Sequence, residues 1–314
     1  MAREIYERQV GLLVRCLPYV AKEEVFALKG GTAINLFHRE LPRLSVDIDL
    51  TYLPIKPRAE SLREIEQALV RISGVIEANI DGARVRLIAG GGNAETRLLI
   101  TGDNIEIKVE TSPVMRGTVN PHEVRMVTEA VEEQFGFAEM QVVAFEDLFA
   151  GKLCAALDRQ HPRDLFDVRL LLEHEGIPDE LFRTFLVYVA CSNRPPHEIL
   201  APNAIDISQA YTREFEGMSN QTVSLDELLE TRKKLFEEIE SRLDNTVSEF
   251  FLKLHDCEPD FSLIGHADAK NLPAIQWKLR NLERLKNDNP GKHRVLRECI
   301  ENLKPAQVSF SPER

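Results

Sequence analysis

The sequence is poor in cysteine, and its few cysteines are scattered. Five cysteines occur in 314 residues, an odd number with no Cys-x-x-Cys pair among them. Disulfide-rich domains and structural zinc sites need cysteines at short, regular spacings, so neither kind of scaffold is predicted. Reduced thiols are typical of the cytosol, and we therefore expect a cytoplasmic location.

A long apolar run is also missing near the start of the chain. Charged residues interrupt the first twenty positions: Glu4, Glu7, Arg8 and Arg15. A signal peptide or a membrane-spanning helix needs an apolar stretch that these charges break. Neither is predicted here, and no membrane partner is expected.

Positive charge is scarce as well. The chain has 39 lysines and arginines against 51 aspartates and glutamates, a formal net charge of -12. Such a field repels polyanions, so nucleic-acid binding would need a local basic patch. A basic excess occurs near the C-terminus, at Lys278, Arg280, Arg284, Lys286, Lys292, Arg294 and Arg297. Acidic residues are interspersed, so this pattern fits either an RNA-facing patch or a solvated helix face.

Signature motifs of several enzyme classes are absent from the sequence. The eight histidines show no His-x-x-x-His or His-Glu-x-x-His spacing, so no zinc site is predicted. There is also no Gly-x-Ser-x-Gly, Walker A or Rossmann fingerprint. These absences argue against zinc hydrolases, α/β-hydrolases and P-loop enzymes.

A glycine turn followed by two spaced aspartates is the most informative stretch. Residues 25–28 predict a strand that ends at Gly30 and Gly31, where a helix begins. Asp47 and Asp49 follow in a second strand, in which residues two apart share a face. Adjacent carboxylates repel unless a cation lies between them, and Mg²⁺ is usually held by one or two carboxylates plus substrate phosphates. Because glycines let a phosphate approach the backbone at a helix N-terminus, the stretch predicts phosphoryl or nucleotidyl transfer.

The same residues carry a resemblance to a known enzyme family. Gly-Gly-Thr-Ala at 30–33 and Arg-x-Ser-x-Asp-x-Asp-Leu at 43–50 resemble the first motif of the nucleotidyltransferase superfamily, in particular that of the AbiEii/AbiGii toxins. The resemblance covers roughly residues 25–175. It implies a Mg²⁺-dependent transfer of a nucleoside monophosphate from a nucleoside triphosphate, with release of pyrophosphate. It also implies a cognate antitoxin, and an acceptor that is an RNA, such as the 3′ end of tRNA, or a protein.

The resemblance further implies a third acidic residue on a neighbouring strand. Lys108 and Glu110 are two apart in an alternating stretch and would share a face. We predict Glu110 as third metal ligand or general base, and Lys108 as a phosphate contact. Glu106 lies on the same face and is the reserve candidate. An exposed strand face with alternating glutamate and lysine is the alternative interpretation.

A helical block after the sheet places a lysine on a largely apolar surface. A charged group seldom lies beside a core without a partner. For Lys152 the partner would be triphosphate oxygens or, in the alternative, Asp147 or Glu146. The block resembles the Glu-x-Leu-x-Ala-x-Lys and Arg-Asp-x-x-Asp blocks of AbiEii-like proteins. That resemblance implies that Arg163 and Asp164 lie at the rim of the active site and organise Lys152.

The predicted site therefore has two groups of residues. The catalytic group is Asp47, Asp49, Glu110 and Lys152, of which the three carboxylates are also the predicted metal ligands. The group expected to bind the triphosphate is Gly30, Gly31, Thr32, Ser45, Lys108, Arg159, Arg163 and Asp164. For Thr32 and Ser45 the alternative is a capping or turn role. For Arg43, a phosphate contact and a surface position fit equally, and Arg163 and Asp167 have the i,i+4 spacing of a helical ion pair.

Strand patterns are confined to the first half of the chain. We predict an α+β fold, with a nucleotidyltransferase-like mixed β-sheet flanked by helices and followed by an all-helical C-terminal domain. The boundary would divide residues 1–175, the catalytic domain, from residues 176–314. Residues 75–76 predict a short strand, residues 90–92 a glycine loop, and residues 223–255 one long helix.

Two other functions stay open at this point. One keeps the fold and modifies a small molecule, a drug or a sugar, instead of a macromolecule. The other is a catalytically silent nucleotide-binding module, against which the four catalytic residue types argue. A kinase is disfavoured because Asp-Phe-Gly and His-Arg-Asp are both missing.

Overall fold

The computed structural model describes residues 2–89 and 95–303. Within these residues one mixed sheet has the strand order β3-β4-β5-β2-β1-β7-β6. Its strands are β1 (Phe26–Lys29), β2 (Asp47–Tyr52), β3 (Arg84–Ala89), β4 (Glu95–Gly102), β5 (Ile105–Arg116), β6 (Glu123–Met126) and β7 (Glu139–Val142). The glycine loop predicted at residues 90–92 lies outside the described residues.

Helices pack against the sheet, and the regular elements of the described chain after β7 are all helical. They are α1 (Ala2–Val20), α2 (Gly30–Ala33), α3 (Arg58–Asn79), α4 (Glu129–Phe135), α5 (Phe145–Asp158), α6 (Pro162–His174), α7 (Asp179–Cys191), α8 (Pro196–Leu200), α9 (Ser208–Ala210), α10 (Leu225–Ser241), α11 (Asn245–His255), α12 (Pro273–Asp288) and α13 (Pro290–Glu301). Wider π-helical turns follow α2 and α9, and two 3₁₀ turns precede α12. The predicted α+β fold with a helical C-terminal region is confirmed. No helix in the described ranges is long and apolar enough to cross a membrane.

The centre of the sheet follows from the alternation of apolar and polar residues. In β5, Ile105, Ile107 and Val109 are buried, and the residues between them face the other side. In β2, Ile48 and Leu50 are completely buried in the same way. Burial of one side of each strand fixes the register, because a shift by one residue would expose every apolar side chain. The polar faces of β2 and β5 therefore lie side by side.

Two local predictions differ from the structure, and two short elements were not predicted. Residues 75–76 are helical, because the apolar stripe of α3 continues through Ile72 to the buried Ile76. The helix predicted over residues 223–255 is two helices, since Asp244 caps the N-terminus of α11 by accepting a hydrogen bond from Val247 N at 2.9 Å. The short elements β6 and α4 were not predicted, because neither carries a long periodic pattern.

The buried core runs without interruption past the proposed boundary at residue 176. Helix α5 packs against α7, and buried side chains of both belong to one cluster, among them Phe149 and Phe185. The loop before β2 is also held from the C-terminal half, since Leu44 N donates to Met218 O at 2.7 Å. The division into two domains at residue 176 therefore stays a prediction.

Candidate active site

Two adjacent strands bring the predicted carboxylates to one face of the sheet, and a third strand places Lys29 beside them. Strand β2 runs parallel to β5, with Asp47 opposite Lys108 and Asp49 opposite Glu110. Strand β1 lies antiparallel on the other side of β2, and its last residue, Lys29, is opposite Asp49. Glu110 is the residue that sequence reasoning selected, and the register places it directly beside Asp49.

The glycine pair is required by close contacts with this face. Gly30 has a φ of +74°, and a Cβ there would lie 2.5 Å from Oδ2 of Asp49. A Cβ on Gly31 would lie 2.7 Å from Nη2 of Arg43 and 2.9 Å from Oγ of Ser45. Side chains at either position would displace these groups, because such distances are well inside van der Waals contact. The pair thus lets the start of α2 approach the carboxylates.

The hydroxyl of Thr32 has a structural partner. Thr32 is completely buried, and its Oγ1 donates to the carbonyl oxygen of Asp47 at 2.5 Å and lies 3.0 Å from Ser45 Oγ. The contact fixes α2 against the start of β2. This tertiary contact is neither a cap nor a turn contact, and the phosphate contact expected for Thr32 stays a prediction. Ser45, in contrast, lines the cavity described below.

An ion cluster faces the carboxylates; it is formed by the buried residues Arg43, Lys152, Asp164 and Asp167 and by the exposed Arg159. Lys152 Nζ lies 2.9 Å from Asp164 and 2.8 Å from Asp167. Arg43 binds both oxygens of Asp167, at 2.8 and 2.6 Å. Arg159 reaches Asp164 through Nε at 2.6 Å. Neither Asp147 nor Glu146 pairs with Lys152 here, so the alternative partners expected from the sequence are wrong.

The ion cluster carries one net positive charge. Burial by itself would raise the pKa of Asp164 and Asp167, but the adjacent cations outweigh it and hold both pKa values below 3.8. Burial likewise opposes the charge of Lys152, and its two carboxylate partners nevertheless raise its pKa above 10.5. Three cations therefore face two anions. Arg159 is the most open cation of the cluster, with 64% of its side chain exposed.

The positions and ion-pair partners of Arg43 and Arg163 differ from those expected. Arg43 is not a surface residue, since it is only 2% exposed and holds Asp167, and its contact with phosphate stays a prediction. Arg163 lies 3.7 Å from Glu214 instead of pairing with Asp167 along its own helix. Arg43, Lys152 and Asn35 together make four contacts with the two oxygens of Asp167, which leaves no good position for Arg163.

Most predicted site residues line one cavity of about 210 Å³, here called the carboxylate cavity. Its walls include ten of the twelve predicted residues: Gly31, Ser45, Asp47, Asp49, Lys108, Glu110, Lys152, Arg159, Arg163 and Asp164. Arg43 also lines it. Of the other two, Thr32 is internal and Gly30 lines the adjoining cavity. The structure therefore brings together residues that are more than 130 positions apart in the sequence.

The adjoining cavity of about 510 Å³, here called the second cavity, begins at Asp49 and Arg159. Lys29 lines it and was missed by sequence reasoning. Burial lowers the pKa of Lys29, and the charges of Asp49 and Glu110 partly offset this shift. The available signal was its position at the end of β1, directly before the glycine pair. Tyr188 contributes an aromatic wall.

The donor set suits a hard divalent cation held by two carboxylates. No described residue donates a hydrogen bond to the carboxylate of Asp47 or Asp49. Burial, followed by the charge of Asp49, raises the pKa of Asp47 above 3.8. Two carboxylates on one strand, with no direct hydrogen-bond or ion-pair partner among the described residues, match the ligands of Mg²⁺, which takes its remaining ligands from phosphates and water.

Glu110 is not assembled with the two aspartates into a closed metal site. In residues 2–89 and 95–303, no group of three His, Cys, Asp or Glu side chains is arranged to hold a metal ion. Glu110 lies 3.3 Å from Arg97 instead. The role of Glu110 as a third metal ligand therefore stays a prediction.

A glycine turn, an Asp-x-Asp strand and a cationic cluster around one cavity define a nucleotidyltransferase-type site. A family model described as nucleotidyl transferase AbiEii toxin of type IV toxin–antitoxin systems matches residues 11–281, and the chain belongs to this family. It is accordingly a nucleotidyltransferase and the toxin component of such a system. The resemblance noted in the sequence is confirmed.

A solved structure agrees at the level of the fold. MenT4, a nucleotidyltransferase toxin from Mycobacterium tuberculosis H37Rv, superimposes with a TM-score of 0.61 at 15% sequence identity. The match covers 90% of this chain and 95% of MenT4. Comparison with curated protein sequences finds no match.

Proposed function

We propose that the toxin transfers a nucleoside monophosphate from a nucleoside triphosphate to a hydroxyl group of an RNA, in a Mg²⁺-dependent reaction. One observation carries the proposal: Asp47 and Asp49 share a cavity with a cationic cluster and a glycine turn. One cavity of about 210 Å³ thus offers cationic groups to the phosphates and two carboxylates to a divalent cation. The 3′ end of tRNA is one such acceptor.

Asp47 and Asp49 would hold the divalent cation. When bound, Mg²⁺ would withdraw negative charge from the phosphate oxygens and so favour attack at phosphorus. Without a cation the two carboxylates repel each other, and burial, followed by this repulsion, raises the pKa of Asp47. Glu110 stays the predicted third acidic residue, as ligand or base.

The phosphates would lie between the glycine turn and the ion cluster. Gly30 and Gly31 leave backbone N–H groups unshielded at the start of α2, where partial positive charge accumulates. Arg159 is open enough to turn toward a phosphate, because only one edge of its guanidinium is held by Asp164. Lys152 is held at fixed distances and contributes its charge without moving. Lys108 and Arg163 would complete the cationic wall.

The transfer step forms one P–O bond, breaks another and releases one proton from the acceptor hydroxyl. The acceptor hydroxyl oxygen attacks the α-phosphorus, a new P–O bond forms, and the bond from phosphorus to the bridging oxygen of pyrophosphate breaks. Glu110 would take the hydroxyl proton, because its carboxylate lines the same cavity as Asp47 and Asp49. Catalysis would rest mainly on positioning and on electrostatic stabilisation of the developing charge.

The second cavity has room for a nucleoside beside the transfer site. It shares Gly31, Asp49, Lys152 and Arg159 with the carboxylate cavity. Tyr188 and Met115 offer it apolar contacts. We further propose that the reaction takes place in the cytoplasm, because the five cysteines are unpaired thiols. A cognate antitoxin would restrain it there.

The experiment is incubation with each α-³²P-labelled nucleoside triphosphate, total RNA and Mg²⁺, followed by gel separation of RNA, protein and small molecules. Asp49→Asn should abolish labelling of RNA, and Glu110→Gln should reduce it by at least about 100-fold, as expected for loss of a general base. The matched control is Glu106→Gln, on the same strand but outside the cavity walls.

Two results would reject parts of the proposal, and a third would change the residue assigned to one role. Label on protein or on a small molecule, with none on RNA, would show that the acceptor is not RNA. Equal activity of wild type and Asp49→Asn would remove the metal assignment. A loss in Glu106→Gln, with Glu110→Gln unaffected, would move the third acidic role to the reserve candidate.

A further inference from the structure

A third cavity, of about 320 Å³, lies where strand β5 ends and helix α12 packs against it. We call it the tryptophan cavity. Its walls come from the connection between β2 and α3, from the end of β5 and from α12. Val114 lines both this cavity and the second cavity, so the two adjoin. From Glu110 to Arg116 the strand spans at most about 20 Å.

Three arginines line the tryptophan cavity without a carboxylate partner in the described chain: Arg58, Arg116 and Arg280. Arg58 Nη1 donates only to the Pro113 carbonyl, at 3.2 Å. Lys56, by contrast, is neutralised by two nearby glutamates at 3.4 and 3.0 Å. An acidic protein thus keeps a local surplus of guanidinium groups at this place.

Arg116 is the most informative of the three. It is only 6% exposed, and its buried Nε has no hydrogen-bond partner in the described structure. Its Nη1 contacts only the Lys56 carbonyl, at 3.3 Å. A buried cation without an anion is costly, and a fork of unused N–H donors matches the oxygens of a phosphate. Burial, and then the charge of Arg58, lowers the pKa of Arg116.

An indole ring forms another wall. Trp277 is 47% exposed and is the single tryptophan of the chain. It precedes Arg280 by three positions on α12, so both side chains leave the helix on one face. A ring beside unpaired arginines is the combination by which proteins hold single-stranded nucleic acid, stacking a base and neutralising its phosphate.

We propose that the tryptophan cavity binds a backbone phosphate of single-stranded RNA on Arg58, Arg116 and Arg280, with the adjacent base stacked on Trp277. A single strand is required, because a base in a duplex is stacked and cannot cover the indole. In the proposed function this strand is the acceptor, whose end reaches the second cavity past Val114. That role rests on the proposed function, whereas the binding itself does not.

The other basic residues of this region differ from these three. Lys278 is buried and donates to the carbonyl oxygens of Ser192 and Arg194, at 2.7 and 2.9 Å. Arg284 is 82% exposed and pairs with Asp288. The basic excess seen in the sequence therefore includes structural and solvated residues, and Arg280 alone among these residues lines the tryptophan cavity.

Binding is measured with the intact chain, a fluorescein-labelled 12-nucleotide single-stranded RNA, EDTA and no nucleoside triphosphate. RNA should quench the fluorescence of Trp277. By anisotropy, Trp277→Leu should weaken binding at least about fivefold. Arg58→Gln and Arg280→Gln should each lower the slope of log affinity against log salt by about 0.7. Arg284→Gln is the matched control on the same helix and should leave affinity unchanged.

Each opposite outcome overturns the inference. Wild-type affinity in Trp277→Leu and Arg280→Gln would exclude this cavity. Equal quenching by heparin, or equal binding of a duplex, would show that it reads charge alone. If labelling of RNA occurs and these variants label normally, the inference fails and the proposed function stands. If the variants bind as expected while no RNA is labelled by the wild type, the proposed function fails and the site stands.

Discussion

Replacing Asp167 by asparagine tests the ion cluster at its most buried point. The carboxylate is completely buried and accepts hydrogen bonds from Arg43 at 2.8 and 2.6 Å and from Asn35 at 3.2 Å. Lys152 lies 2.8 Å from it. Asparagine keeps the volume but removes the charge, so three cations would share the single carboxylate of Asp164.

The expected loss of stability is large. Removing one partner from a buried ion pair costs about 3–5 kcal/mol, because the remaining charge stays buried without compensation. For a chain of this size, that loss corresponds to a fall of about 5–8 °C in Tm. Urea unfolding followed by circular dichroism gives the free energy of unfolding directly, and thermal melts give Tm.

A surface aspartate provides the matched control. Asp158 ends helix α5 and pairs with Arg194, and 44% of its side chain is exposed. Asp158→Asn makes the same chemical change and should cost less than about 1 kcal/mol, as exposed pairs do. If Asp167→Asn also cost less than about 1 kcal/mol, the claim that the cluster depends on this carboxylate would be refuted.

Three further predictions concern the same face of the molecule. Asp47 has a raised pKa, so its ionised form destabilises the fold at neutral pH. Asp47→Asn should therefore raise Tm in EDTA, and it should lose the increase in Tm that Mg²⁺ gives the wild type. A lower Tm of the variant in EDTA would contradict this. Gly30→Ala should unfold at lower urea than Gly82→Ala, which shares a positive φ but meets no atom within 4 Å, because only the first new methyl group collides with Asp49. The lowered pKa of Asp167 stabilises the folded state above pH 3.8, and this stabilisation is lost as the pH falls through the pKa of the folded state. The stability of the wild type should therefore drop more steeply below pH 3.8 than that of Asp167→Asn. Parallel stability curves would count against the cluster.

Local patterns were enough to predict the acidic face of the site. Asp47 and Asp49 could be placed on one side of a strand because the period of a strand is two. Glu110 followed from the family resemblance, and strand pairing then put it opposite Asp49. The sheet itself was predictable because its central strands alternate strictly between apolar and polar residues.

The cationic face could not be predicted in the same way. Arg43 and Asp167 are 124 positions apart, and nothing in their local sequence indicates that they meet. The i,i+4 spacing suggested Arg163 as the partner of Asp167, but a bidentate tertiary contact replaced this helical pair. Lys29 was missed because its role depends on the antiparallel register of β1 against β2. Tertiary contacts, not local propensities, determine the Arg43–Asp167 pair, the partner of Arg163 and the position of Lys29.

The most direct measurement of the central claim compares two labels on one substrate. Purified protein, Mg²⁺ and RNA are incubated with a nucleoside triphosphate labelled with ³²P at either the α or the γ position. Nucleotidyl transfer at Asp47 and Asp49 predicts that the α label enters RNA and that the γ label is released in pyrophosphate, and that Asp49→Asn abolishes both. Transfer of the γ label to the acceptor, or unchanged transfer of the α label by Asp49→Asn, would contradict the account.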